Sequence, residues 1–177
     1  AGMRYESYLD PILGYPGRFR GSGVGYRYAN YAKENFEVTL GNFYEQFGSG
    51  LLLRAYEERQ LGIDNALDGF RLILRPADGV TLKGLVGKQR LDFDSGLING
   101  PGTIRAMDGE INLNDAFERL ATSDTRVTLG ASFVSRFQPG STISKDTLVL
   151  QLPNNVGSWG YRAQIQKGGF QLMGEYV

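Results

Sequence analysis

The densest polar cluster of the chain comprises Arg54, Glu57, Glu58, Arg59, Asp64, Asn65 and Asp68. On a loop folded into a pore, opposed carboxylates and guanidiniums would set a transverse field, and rings of charge select ions and polar solutes in this way. The plainer reading is a charged loop, salt-bridged to its scaffold and important only for folding. Glu57 with Glu58, and Asp64 with Asp68, also have the residue types of a glycosidase pair. That chemistry needs two carboxyls facing each other across roughly 5–10 Å, and nothing in a loop fixes such a geometry. Asp92-Phe-Asp94-Ser95 offers oxygens of the kind calcium takes, but too few of them, and reads as a solvated turn. Gly21-Ser-Gly23-Val-Gly25 lacks the strand-to-helix context of a phosphate loop and reads as a turn as well.

Histidine and cysteine are both absent. This removes the commonest general base and zinc ligand, the nucleophile–His–acid arrangement, thiolate metal sites and disulfides. No catalytic residue, metal or cofactor is expected, and the chain is read as a non-enzyme. Lys+Arg and Asp+Glu are 19 each, so the net charge is zero. Nothing in that balance points to a nucleic-acid partner, which an excess of basic residues would announce.

The elements that must position the cluster are strands. Gly 25, Tyr 10 and Phe 10 suit antiparallel sheets, where glycine supplies turns and aromatic rings cover a pleated surface. Near the C-terminus Trp159, Tyr161, Ala163 and Ile165 alternate with Gly160, Arg162, Gln164 and Gln166; after Gly168-Gly169, Phe170, Leu172, Gly174 and Tyr176 alternate with Gln171, Met173 and Glu175. Two period-2 runs across a glycine turn predict a β-hairpin. Phe70, Leu72 and Leu74 likewise oppose Arg71 and Arg75. The strands predicted are 3–9, 23–32, 35–46, 50–57, 67–75, 79–91, 103–113, 125–138, 146–152, 158–166 and 169–177, with longer loops at 11–22, 92–102 and 138–145. Asp115 with Glu118 predicts a capping box for one short helix over 115–121.

This is an all-β pattern, and the polar strand faces decide which kind. A soluble sheet turns its polar face to water; a membrane barrel turns its apolar face to lipid and encloses a wet lumen. Arg71 with Arg75, Arg162 with Gln164 and Gln166, and Gln171 with Glu175 suit a lumen. Several runs also approach the roughly 9–11 residues of a membrane-crossing strand. The fold expected is an antiparallel transmembrane β-barrel, or part of one, formed by 1–177 as a single segment. About eleven strands do not meet the even count usual for closed bacterial barrels, so the segment is expected to be incomplete at its C-terminal end. It also opens without the charged and apolar regions of a signal peptide.

Segments 41–59 (GNFYEQFGSGLLLRAYEER) and 61–71 (LGIDNALDGFR), flanked by 5–11, 84–90 and 126–135, resemble a domain-of-unknown-function family of Bacteroidota outer-membrane barrels. A shorter likeness to porins runs through Gln46, Gly48, Gly50, Arg54, Asn65, Asp68, Gly69 and Arg71. The resemblance implies location in the cell outer membrane, contact with its lipid, and a barrel architecture. The function expected is porin-like passage of small polar solutes, with Gln46, Arg54, Glu57, Glu58, Arg59, Asp64, Asn65, Asp68, Arg71, Arg75 and Arg162 facing the lumen or its constriction. The alternatives are a non-conducting accessory barrel docked to other envelope proteins, as in a secretion or motility complex, and a soluble periplasmic β-protein.

Overall fold

The computed structural model describes residues 1–9, 17–91, 99–140, 142–145 and 148–177. In chain order its strands are β1 (Gly2–Tyr8), β2 (Gly21–Lys33), β3 (Phe36–Phe43), β4 (Glu45–Gln46), β5 (Arg54–Ala55), β6 (Glu57–Glu58), β7 (Ile63–Asp64), β8 (Leu67–Ala77), β9 (Val80–Arg90), β10 (Asn99–Asn112), β11 (Thr125–Phe137), β12 (Thr142–Lys145), β13 (Leu148–Gln151), β14 (Asn155–Lys167) and β15 (Phe170–Tyr176). One short helix, α1 (Leu113–Ala116), lies between β10 and β11. The protein is all-β.

Nine strands form one antiparallel sheet in the order β1-β2-β3-β8-β9-β10-β11-β14-β15. Neighbours in sequence are neighbours in space wherever a tight turn joins them. Asp78-Gly79 and Gly168-Gly169 close two such hairpins, with Gly79 at φ 71° and Gly168 at φ 56°, a left-handed conformation that glycine adopts without a Cβ clash. These turns, the β2–β3 turn and the α1 connection all lie at one end of the sheet. The longer connections, including 44–66, lie at the other. β1 and β15 are the two edges, and among the described residues they do not pair with each other, so the sheet is not a closed barrel.

Burial is inverted relative to a water-soluble sheet. Along β3, Thr39 is buried and Leu40 is exposed; along β10, Asp108 is buried and Met107 is 66% exposed; Ser132 is buried beside Ala131 and Leu129, both exposed. Leu40, Phe70, Leu82, Val86, Met107, Leu129, Trp159, Tyr161, Ile165 and Leu172 together give the sheet one exposed apolar face. Register keeps this parity from strand to strand, pairing Leu40 with Phe70, Phe70 with Val86, and Phe133 with both Met107 and Trp159.

The core lies on the opposite face and uses a loop as its cover. Phe47, Leu53 and Ala55 from segment 44–66 pack on Phe43, Leu67, Leu85 and Ala106, with Ile104 and Val134 at the margin. The same segment touches both sheet edges: Arg4 of β1 bonds Glu57, and Glu175 of β15 bonds Ser49. Nine strands laid flat at about 4.8 Å spacing would separate the edge strands by ~38 Å, a span this folded segment does not bridge. The sheet is therefore curled around the loop.

Several expectations are corrected. No strand runs over 50–57: Gly48 (φ 52°) and Gly50 (φ 93°) turn the chain, and 54–58 forms parts of two short ribbons, β4/β5 and β6/β7. The strand expected over 35–46 is broken at Tyr44 into β3 and the short β4. The Asp115–Glu118 capping box does not form; Asn112 caps α1 by accepting from the N–H groups of Asn114 and Asp115, and Phe117 is extended (φ −127°), so the helix ends before 118. A single turn of 3-10 helix follows over Glu118–Leu120. The loop expected over 138–145 contains β12, paired with β13. Gly21, Gly23 and Gly25 belong to β2 and not to a turn. The Asp92–Asp94–Ser95 group lies outside the described residues.

Candidate functional site: the inward loop

Segment 44–66 leaves β3, crosses the polar face of the sheet and returns into β8. Local hydrogen bonds make it a folded unit. Phe47 N–H donates to Leu53 O at 3.1 Å and Gly50 N–H to Phe47 O at 2.8 Å, closing the β4/β5 ribbon. Asn65 joins the ribbons: its side chain accepts from Tyr56 N–H at 2.6 Å and donates to Arg54 O at 3.1 Å. A side-chain amide here replaces ladder bonds that two-residue strands cannot supply themselves.

Three anchors fix this unit to the sheet. Where the loop begins, Glu45 accepts from Lys83 at 2.8 Å and from Arg71 at 3.3 Å, and Arg71 also pairs with Glu37. Where the loop ends, Arg90 bonds Asp64 and, at 2.8 Å, Glu6, while Arg4 reaches Glu6 at 2.6 Å and Glu57 at 2.8 Å. The Arg90 side chain is 0% exposed and lies over the buried Phe19 ring. Near the tip, Ser49 N–H donates to Glu175 at 2.8 Å. Together these fix the loop at both ends and at its far turn.

Glycine makes the second anchor possible. Gly25 is the extra residue of a β-bulge where β1 and β2 shift register. A Cβ on it would lie 2.4 Å from the Glu6 carboxylate and 2.6 Å from an Arg90 nitrogen, so the ion pair occupies the space a side chain would need.

Glu6, Glu57 and Asp64 bring carboxylate oxygens within 4.8 Å of one another, a donor set of the type that holds a hard cation. Arg4 and Arg90 already insert their guanidiniums among them. With Arg59 on Glu57 at 3.0 Å, three arginines balance three carboxylates. A divalent ion would have to displace the buried Arg90 and the part-buried Arg4, and the cluster acts as a charge-neutral clasp. Burial alone would raise the Glu57 carboxyl; hydrogen bonds from Arg59 and Arg4 outweigh it and hold Glu57 below the usual carboxylate range.

Arg162 belongs to a separate network on the wall. It grips Asp108 through two bonds of 2.6 and 3.0 Å, Glu110 at 2.9 Å and Ser132 at 3.0 Å. Gly130 lies directly opposite it in register, and a Cβ there would meet the guanidinium at 2.4 Å.

The structure thus gathers Gln46, Arg54, Glu57, Glu58, Arg59, Asp64, Asn65 and Arg71 at the loop. Glu58 caps the 3-10 turn after it by accepting from Gln60 N–H. Arg75 is exposed at the tight-turn end, beside Glu34, Asp78, Glu110 and Asp115. Asp68 falls on the strand parity of Phe70 and Leu72, between Asn42 and Lys88, and so lies outside the loop cluster. Sequence reading missed Arg4, Glu6, Glu45, Lys83 and Arg90. Their signal was weak, because each has its partner on a distant strand.

A curled antiparallel sheet with an apolar outside and a loop clasped inside is what the fold and site define. A family model described as "Family of unknown function (DUF6029)" matches residues 1–177. The chain belongs to that family. No curated protein and no solved structure matches it.

Proposed function

We propose that the protein is a segment of a porin-like outer-membrane β-barrel of the Bacteroidota type that gives passive passage to small polar solutes, with the 44–66 loop as its constriction. The observation that carries this reading is the inverted burial. Large apolar side chains from Leu40 round to Leu172 stand exposed on one face, while Thr39, Asp108 and Ser132 are buried on the other. Placing such a side chain in hydrocarbon in place of water is worth up to roughly 1.5–3 kcal/mol, a driving force that water leaves unused. β2, β8, β9, β10, β11 and β14 run 11–14 residues, enough to cross a bilayer. Tight turns at one end and longer loops at the other follow the pattern of outer-membrane barrels, and the remaining edges would be covered where the barrel closes.

A second reading draws on one further observation. Phe47 and Leu53 seal the loop against the wall in a dry core, which also suits a plugged, non-conducting barrel docked to other envelope proteins. The single tryptophan, Trp159, points outward at 62% exposure and separates these readings when combined with conductance. Reconstitution into vesicles with brominated acyl chains should quench Trp159, and planar bilayers should carry steady current. Quenching without current selects the plugged barrel. An unquenched Trp159 in protein that stays in buffer without detergent defeats the membrane assignment.

A further inference from the structure

We infer that the free face of the inward loop is an anion-selecting surface, with Arg54 as its specificity-determining residue and small anionic solutes as the class it favours. The inference rests on the porin-like reading and names the charge of the solute.

It begins with the direction in which Arg54 points. Leu53 and Ala55 are both buried against the wall, and in an extended pair alternate side chains face opposite ways. Arg54 between them is exposed and is directed away from the wall, into the space the sheet curls around. Gln46 is its register partner in the β4/β5 ribbon, is equally exposed, and is followed by the wall-facing Phe47. The two side chains therefore share the free face.

Next comes charge. Arg4, Arg59, Arg71, Lys83, Arg90 and Arg162 are each spent on at least one carboxylate within 4 Å. Arg54 makes no ion pair among the described residues. Its guanidinium instead lies over the Tyr56 ring, 4.2 Å from the centroid. A stacked guanidinium is held in orientation and keeps its N–H donors for a ligand. The clasped charges of the loop balance against the wall, Glu58 is turned to the Gln60 backbone N–H at 3.2 Å, and Arg54 is the cation left facing the passage, beside an amide that can also donate. A unit charge about 7 Å from a passing ion in wet surroundings changes its local concentration roughly threefold.

The test is the reversal potential of the reconstituted protein across a KCl gradient. Wild type should prefer chloride to potassium; Arg54→Gln should lower the chloride-to-potassium permeability ratio roughly sevenfold, because the lost charge acts on the two ions in opposite senses, and Arg54→Glu should invert it. Arg54→Lys should keep the preference, since it keeps the charge. Arg119→Gln, which removes a cation from the connection at the opposite end, should leave the ratio unchanged. Steady current with a ratio that Arg54→Gln does not move would overturn the inference while leaving the pore intact. An equal drop in Arg119→Gln would overturn it too, by assigning selectivity to net charge. Absence of current in wild type would instead remove the porin-like reading, and this inference with it.

Discussion

Arg90 and Arg162 are both inward guanidiniums holding two carboxylates, yet they hold different things. Arg90 joins the end of β9 to Glu6 of β1 and Asp64 of the loop, elements that few other bonds connect. Arg162 joins β14 to β10 across β11, strands already laddered by continuous backbone pairing. One arginine positions a loop; the other reinforces a wall. Burial sharpens the contrast, with Arg90 at 0% exposure and Arg162 at 11%, and with one Arg162 partner, Glu110, at 46%. The same side chain is thus fully desolvated where it acts as a clasp and slightly hydrated where it acts as a strut, with one carboxylate partner half in water.

The largest effect should come from breaking the clasp. Arg90→Ala leaves Glu6 with Arg4 and Asp64 with the Tyr44 hydroxyl but removes their fully buried counter-cation, and removing one partner of a buried pair costs about 3–5 kcal/mol. Arg162→Ala leaves Asp108 with its 2.6 Å bond from Ser132, so the cost should be about half of that. Denaturant unfolding followed by Trp159 fluorescence compares the two variants. Limited proteolysis separates the roles: Arg90→Ala should open the 44–66 segment to cleavage in the folded protein, and Arg162→Ala should not. Equal cleavage in both would erase the distinction between clasp and strut.

How far these roles were legible in the sequence follows from where each residue lies on its strand. Arg71 and Arg162 alternate with apolar residues through long runs, so parity alone assigns them to the polar face. Arg90 shares its parity with the exposed Leu82 and Val86 and turns inward only at the strand's end, where it meets Glu6 from 84 residues away. No local pattern encodes such a pairing. The apolar run Leu51-Leu52-Leu53 misled in the opposite sense. It has the composition of a strand, but Gly48 and Gly50 take left-handed turns before it, so Leu53 serves as the loop's contact with the wall while Leu51 stays exposed. The porin-like charge cluster was visible as a composition; its internal neutrality appears only when β1 and β9 are folded against it.

Acidification should weaken the Glu57 arm of the clasp. Glu57 titrates below the ordinary carboxylate range because Arg59 and Arg4 bond its ionised form. A depressed carboxyl contributes stability that is present above the unfolded-state pKa and is lost as pH falls through the folded one. Protease protection of 44–66 should therefore hold at neutral pH and decline below about pH 4. Glu57→Gln should show weaker protection at pH 7 and a flatter pH profile. A profile that Glu57→Gln leaves unchanged would assign the acid sensitivity to another carboxylate.

The smallest expected effect lies at the loop tip, where the connection between the two edges of the sheet is thinnest. Glu175 of β15 holds the loop by one hydrogen bond, from Ser49 N–H, against the two that Arg4 and Arg90 give Glu57 and Asp64 at the other edge. Glu175→Gln keeps a side-chain oxygen as acceptor and removes only the charge, so the loss should be about 0.5–1.5 kcal/mol. The wall should be unaffected, since β14 and β15 stay paired from Tyr161–Tyr176 to Lys167–Phe170. Hydrogen exchange at the Ser49 amide reads this directly: faster exchange at Ser49 with unchanged protection along β15 identifies the bond as a tether for the tip alone. If β15 itself lost protection, the loop would be holding the sheet edge in place as much as the edge holds the loop, and clasp and strut would be one cooperative unit.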